Sequence, residues 1–354
     1  MIKKFNKIRK ILVDVLLNYL IKKRIDNTFL LRCSIFIYFL LTWNFYTHSH
    51  IKARHHFVPQ FLLKKFGIKN DGEIGEILEY KTDLKPKRIS IEKEACCVSN
   101  MYSFRDKHTK KQNDFIETRL FGFLEKYSSR IIERIIIINK IDLTSVERSV
   151  LCSFLAIQYT RTPTFLFNLN IFLTYLIKVE SVKYEEIKNK NFFRKAFVDD
   201  YFKIDIKDVI NFHRRNKQII SGANDRILAM SIQIADYISK IIFYKELRLL
   251  VASSSEFFFI SDNPVVMLNL KNKNFIGPIA QNLKDVLIIL PISPTQCLYL
   301  TDRGKFRYPP IDYRLCFRLL LLNIDLVAFS DIYRQDVKSF LDERKINLSR
   351  SLVF

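Results

Sequence analysis

The spacing of apolar and polar positions changes several times along this chain, and each change predicts an element. Residues 11–21, ILVDVLLNYLI, place apolar side chains at helical spacing between basic runs, the pattern of a helix on a membrane surface or against a partner. Cys33–Trp43, CSIFIYFLLTW, is a continuous apolar run. It falls short of the roughly 20 apolar residues that a spanning helix needs. Strand-like stretches follow near 77–104, helical spacing dominates from 113 to 245, and strand patterns return near 247–300. Two further helices are expected at 314–328 and 332–345. Strands separated by a helical middle predict an α+β fold, with a mixed sheet from early and C-terminal strands packed against the helical middle segment and an N-terminal helical extension. The expected divisions are an extension at 1–54, a domain at 55–346 and a tail at 347–354.

Composition narrows the chemistry. Only 7 of 354 residues are glycine, and neither G-x-G-x-x-G nor G-x-x-x-x-G-K-[ST] occurs. A dinucleotide or P-loop site therefore has no support, since such loops need backbone without a Cβ. The six cysteines show no C-x-x-C pair, so reduced and mostly buried thiols are expected. No nucleophile elbow, H-E-x-x-H or zinc-deaminase pattern is present. With 49% hydrophobic residues and 31 Phe, the chain is not disordered.

The formal net charge is +22. Residues 1–54 carry eleven Lys or Arg against two acids, a net of +9, which leaves +13 on the other 300 residues. That excess makes nucleic acid, a phosphate-containing small molecule or an anionic membrane the partners to consider. Basic runs at Lys188–Lys195, which contains Phe192 and Phe193, and at His213–Lys217 would suit a phosphate backbone, though such runs are more often a solvated helix face, within a helical insertion at 180–218. Membrane contact is confined to residues 1–54. The expected location is cytoplasmic, the alternative being peripheral or anchored attachment at the inner face of the membrane. A third expectation is that translation begins after Met1 and that the extension is dispensable.

From His55 the chain reads HHFVPQFLLKKFG (His55–Gly67). Further on come ILEYKTDLKPKRISIEKEACCVSNMYSF (Ile77–Phe104), NDFIETRLFGFLEKY (Asn113–Tyr127), QYTRTP (Gln158–Pro163), FFFISDNPVV (Phe257–Val266) and LIILPISP (Leu287–Pro294). In this order the elements resemble the DUF4238 family of bacterial proteins, over His55 to about Arg344. The family's usual start just before the His-His pair leaves residues 1–54 outside the resemblance. It implies boundaries and site candidates, not an activity.

Adjacent His55 and His56 before Pro59 point to opposite faces of an extended segment. His56 is the expected base or ligand, because the resemblance favours the second histidine. Gln60 shapes the segment or meets substrate, and Phe57, Phe61, Leu62 and Phe66 are expected in the core. Glu117 and Glu125 lie about 80° and about 12 Å apart on a uniform helix, too far for a paired-carboxylate site. Glu125 beside Lys126 reads as a surface acid. Thr144-x-x-Glu147 opens a helix that ends at Pro163, with Gln158 and Arg161 on one face. Buried there, the two need hydrogen bonds or an acid, and Arg161 is expected to hold an anion or to pair with Asp262 or Glu117. Ser261-Asp262-Asn263-Pro264 ends a strand in a turn, with Asp262 as base or metal ligand and Asn263 beside it.

Together these point to a hydrolase acting on a phosphate-containing substrate, with nucleic acid as one form of it. His56, Glu117 and Asp262 would be catalytic, and His56 and Asp262 would ligate a divalent metal. Arg161, Gln158, His55, Gln60 and Asn263 would contact substrate. The alternative is a non-enzymatic binding protein in which these residues form a structural polar network and the basic surface meets nucleic acid or membrane.

Overall fold

The computed structural model describes residues 54–70, 72–81, 84–105, 112–114, 116–170, 223–270, 283, 285–302, 311–324, 327–331 and 333–342. The expectations for residues 1–53, for the basic runs at 188–195 and 213–217, and for the tail lie outside them. No helix among the described residues is long and apolar enough to cross a membrane.

The chain opens with a short strand, β1 (Arg54–His56), and one helical turn, α1 (Gln60–Leu63), which tightens into a 3₁₀ turn at Lys64–Phe66. Pro59 suits this start, because its fixed φ leads into the helix and its missing N–H is not needed there. Gly67 is required next. A Cβ at this position would run into Ile74 Cγ2 and lie 2.9 Å from the Glu76 carbonyl oxygen. Strands β2 (Ile68–Asn70), β3 (Glu73–Lys81), β4 (Lys87–Ser90) and β5 (Cys97–Ser99) follow, then the short pair β6 (Phe104–Arg105) and β7 (Gln112–Asn113).

A π-helical segment at Ile116–Phe121 runs into α2 (Gly122–Ile138), which stops at Asn139 in the left-handed conformation. The capping box expected at Thr144 and Glu147 is formed and starts α3 (Ser145–Thr160). Residues 163–170 form α4, and α5 spans Ala223–Ile242. α3 is buried around most of its circumference because α2 and α5 both pack on it.

The second half contributes β8 (Glu246–Val251), β9 (Ile260–Ser261), β10 (Val266–Asn269), β11 (Val286–Ser293), β12 (Gln296–Thr301), α6 (Tyr313–Leu322), β13 (Val327–Ser330) and α7 at 335–342. One antiparallel sheet has the order β10-β11-β12-β8. All eight residues of β11 are buried, as its unbroken apolar run requires. The register shifts between Pro291 and Ser293, where proline cannot donate to the ladder. The other sheet has the order β2-β3-β13-β9 with β4 beside β3, so early and C-terminal strands do pair.

The fold is α+β, as its element pattern predicts. Two details differ. The described pairings are all antiparallel and build two larger sheets where one mixed sheet was expected. The helix expected over 314–328 ends at Leu322, and Val327–Ser330 is a strand in the middle of a sheet. A four-residue apolar run is too short for periodicity to separate helix from strand.

Candidate functional site

β1 pairs with β5 in antiparallel register, with His55 opposite Val98 and His56 opposite Cys97. Side chains alternate along a strand, so the two histidines have different surroundings. His55 is fully buried. Its Nδ1 accepts a hydrogen bond from the Tyr102 backbone N–H at 2.8 Å, and its ring stacks on Tyr102 at 5.6 Å. An imidazole nitrogen that accepts an N–H carries no proton, so the proton sits on Nε2. That nitrogen faces Asp114 Oδ1 at 3.6 Å, and Asp114 is buried and also accepts from the Ser103 hydroxyl. His56 is half-buried and turned the other way. Its Nε2 lies 3.0 Å from the Ile91 carbonyl, which can only accept, so Nε2 donates and Nδ1 is the basic nitrogen. The Gln60 amide Nε2 is 3.4 Å from it.

The turn before β5 brings a second wall alongside. Glu94 N and Ala95 N both donate to the Ser90 carbonyl, at 2.9 and 3.1 Å, and this tight turn presents Glu92 and Lys93 next to β1. Arg54 Nη1 donates to the Lys93 carbonyl at 2.6 Å and ties the two segments together.

Across from them lies the π segment. Its i→i+5 bonding lowers the rotation per residue below that of an α-helix. This closes most of the angle expected between Glu117 and Glu125, and both carboxylates line one open cleft of about 690 Å³. Arg54, His56, Gln60, Phe61, Glu92 and Lys93 form one side of it, and Glu117, Gly122, Glu125, Lys126 and Ser129 the other. Phe61, expected in the core, packs against it through Phe154 at 5.6 Å while its half-exposed side lines the cleft.

Arg161 stands one layer behind. It is 1% exposed, and its Nε donates to the Phe57 carbonyl at 3.1 Å and to Gln158 Oε1 at 3.0 Å. Gln158 Nε2 donates to the same carbonyl at 2.8 Å. Arg161 Nη1 pairs with Glu125 Oε1 at 2.7 Å, and the guanidinium lies 5.0 Å over the Phe121 ring. The acid that meets Arg161 is therefore Glu125, not Glu117 or Asp262, and Glu125 is not a solvated surface acid, its side chain being only 27% exposed. Burial works against the charge of Arg161, but Glu125, with Tyr102 and Glu117, outweighs it and holds its pKa above the usual arginine value. The Tyr102 hydroxyl donates to the Arg161 carbonyl at 2.7 Å, and burial pushes that phenol well above its ordinary pKa.

Asp262 lies at the end of β9 and is 7% exposed. Its Oδ2 accepts from Val327 N at 3.3 Å and its own N–H donates to the Val327 carbonyl at 3.2 Å, so it closes the β9–β13 pairing. Asn263 N donates to Ser261 Oγ at 3.2 Å, and Asn323 Nδ2 donates to the Asn263 carbonyl at 2.7 Å. Neither residue lines the cleft. The set expected to hold a metal, His56 with Asp262, is not assembled there. Among the described residues no group of three or more His, Cys, Asp or Glu side chains could hold a metal ion.

A family model described as "Protein of unknown function (DUF4238)" matches residues 54–313, most of the chain. The chain belongs to the DUF4238 family. No curated protein and no solved structure matches it.

In this DUF4238 protein the matched stretch begins at the first residue of β1, and Arg54 is itself a cleft residue. Of the residues singled out from sequence, the cleft gathers His56, Gln60 and Glu117. His55, Gln158 and Arg161 lie behind it, and Asp262 and Asn263 sit at the edge of the β9–β13 pairing. Sequence reasoning missed Arg54, Lys93, Lys126, Glu125 and Ser129 as cleft residues, together with the buried partner Asp114. The one available signal was the eight-residue interval from Glu117 to Glu125, spanning Gly122, and it becomes informative only once the helix is known to change its winding.

Proposed function

We propose that the cleft between β1 and α2 is a substrate site at which the protein hydrolyses a phosphate-containing substrate. The observation that carries this is the setting of His56: its Nε2 is held by the Ile91 carbonyl, which makes Nδ1 the basic nitrogen of a residue lining a cleft that also bears Arg54, Lys93 and Lys126. In this reading Nδ1 takes a proton from a water molecule as that water attacks phosphorus, and the bond from phosphorus to the leaving oxygen breaks. The cations counter charge on the phosphoryl oxygens. The Arg161–Glu125 pair keeps the helix wall in place rather than meeting substrate. No step is assigned to a metal, and Asp262 has no part. The test is release of inorganic phosphate from a panel of phosphomonoesters and phosphodiesters by the full chain and by His56→Gln. A loss of roughly 10²–10⁴-fold in turnover with an unchanged far-UV spectrum is expected. Equal turnover in the two proteins, or none from the parent on any ester, overturns the proposal.

A second reading is favoured by a separate observation: His55, Gln158, Arg161 and Asp262 are all engaged in hydrogen bonds or ion pairs within the fold. In it the protein is a non-enzymatic binding protein whose motif residues are structural and whose basic surface meets nucleic acid or an anionic membrane. An alanine series over these four residues and His56 separates the readings. Lower melting temperatures with unchanged binding of nucleotides would favour the second.

A further inference from the structure

We infer that the ligand of this cleft is a small phosphate ester whose other end donates hydrogen bonds, of the size and character of a single nucleotide, and not a nucleic-acid strand. The inference rests on the phosphate reading above and deepens it. Its basis is the distribution of charge inside the cleft. Arg54, Lys93 and Lys126 share it with the carboxylates of Glu92 and Glu117, while Glu125 is paired with Arg161 behind the wall. This mixture of signs contrasts with the chain's overall +22.

A strand of nucleic acid brings a phosphate at every nucleotide and draws its affinity from unopposed cations. The carboxylates of Glu92 and Glu117 among these cations repel such a polyanion and leave no continuous basic track. A ligand with one phosphate avoids that conflict by seating its anion at one end only. Arg54 and the 92–93 turn, joined by the 2.6 Å hydrogen bond, make the anion end. Glu117, carried into the cleft by the π segment, makes the acceptor end. A carboxylate accepts and never donates, so whatever meets that end must offer N–H or O–H groups, as a nucleobase edge or a sugar does. Phe61, on the cleft wall, supplies an aromatic face on which a base can stack. A cleft of about 690 Å³ lies within the range that encloses one small molecule.

The test uses the full chain and titration calorimetry with each of the four ribonucleoside 5′-monophosphates, with the matching nucleosides, with inorganic phosphate and with a twelve-residue oligothymidylate. At least one monophosphate is expected to bind about tenfold or more tightly than its nucleoside and than phosphate alone, with a shallow salt dependence. Lys93→Ala should weaken the monophosphate and leave the nucleoside unchanged. Glu117→Gln should weaken monophosphate and nucleoside alike and leave phosphate unchanged. Lys93 is exposed and the glutamine is isosteric, so both variants should keep the parent's melting temperature. Phosphate binding as tightly as every monophosphate would overturn the inference while sparing the phosphate reading. Displacement of the monophosphate by the oligothymidylate with a steep salt dependence would overturn it in favour of a strand. Binding of none of these probes would overturn both.

Discussion

His55 and His56 are neighbours in one short strand and share one residue type, yet they belong to different parts of the molecule. His55 belongs to the interior: no exposed surface, one ring nitrogen committed to a backbone N–H, the other facing a buried carboxylate. His56 belongs to the cleft, with its Nε2 on the Ile91 carbonyl and the Gln60 amide close to its ring. The same division runs through the other motif residues. Arg161 and Gln158 converge on the Phe57 carbonyl from inside, while Gln60 and Glu117 look out. Chemical suitability for catalysis is therefore a poor guide by itself. Which side of the strand a residue occupies decides whether its chemistry is spent on the fold or available to a ligand.

Four measurements would break or sharpen this division. The largest effect is expected at Arg161, whose loss removes hydrogen bonds to Phe57, Gln158 and Glu125 at once. Arg161→Leu should cost about 3–5 kcal/mol in denaturant unfolding, the range for breaking a buried charge pair. A cost below about 1 kcal/mol would remove Arg161 from the interior group. Next comes alkali. Burial in α3 pushes the Cys152 thiol from 9.0 up to about 12. Its folded pKa is above the unfolded value, so its contribution is complete below pH 9 and is lost as pH rises towards 12, by roughly 4 kcal/mol in full. Unfolding between pH 8 and 11 should show this fall, and Cys152→Ala should flatten it; identical slopes would count against it. Third, His55→Ala leaves the Tyr102 N–H without its acceptor and should cost about 1–3 kcal/mol. Smallest is His56→Gln, expected to change stability by about 1 kcal/mol or less, since its hydrogen bonds lie at a half-buried site and glutamine keeps a polar side chain there. Equal costs at the two histidines would erase the contrast.

Much of the scaffold was legible. The capping box at Thr144 and Glu147, the helix end before Pro163 and the buried strand at Leu287–Leu290 follow from local rules that the structure obeys. So does the opposed placement of the two histidines, since alternation is a property of the strand itself. The helix wall of the cleft was not legible, because a π turn is a departure from the winding that all spacing arguments assume. Asp262 misled for a different reason. A carboxylate ending a strand suits catalysis and strand closure equally, and its hydrogen bond to Val327, 65 residues later, cannot be read from local sequence. The mixed charge of the cleft was hidden in the same way, since Glu92 and Lys93 reach it from a turn whose place depends on the β1–β5 pairing.

The position of β13 has a consequence for how the chain is made. It lies between β3 and β9, joining residues 78–81 to residues 327–330. On a ribosome, β3 and β4 emerge long before the strand that covers the open edge of β3, and β9 is left without its described partner. An unpaired strand edge is an invitation to other chains. Synthesis halted after β9 and before residue 327 therefore leaves a nascent chain whose sheet lacks a central strand, a species prone to aggregate rather than a smaller working protein.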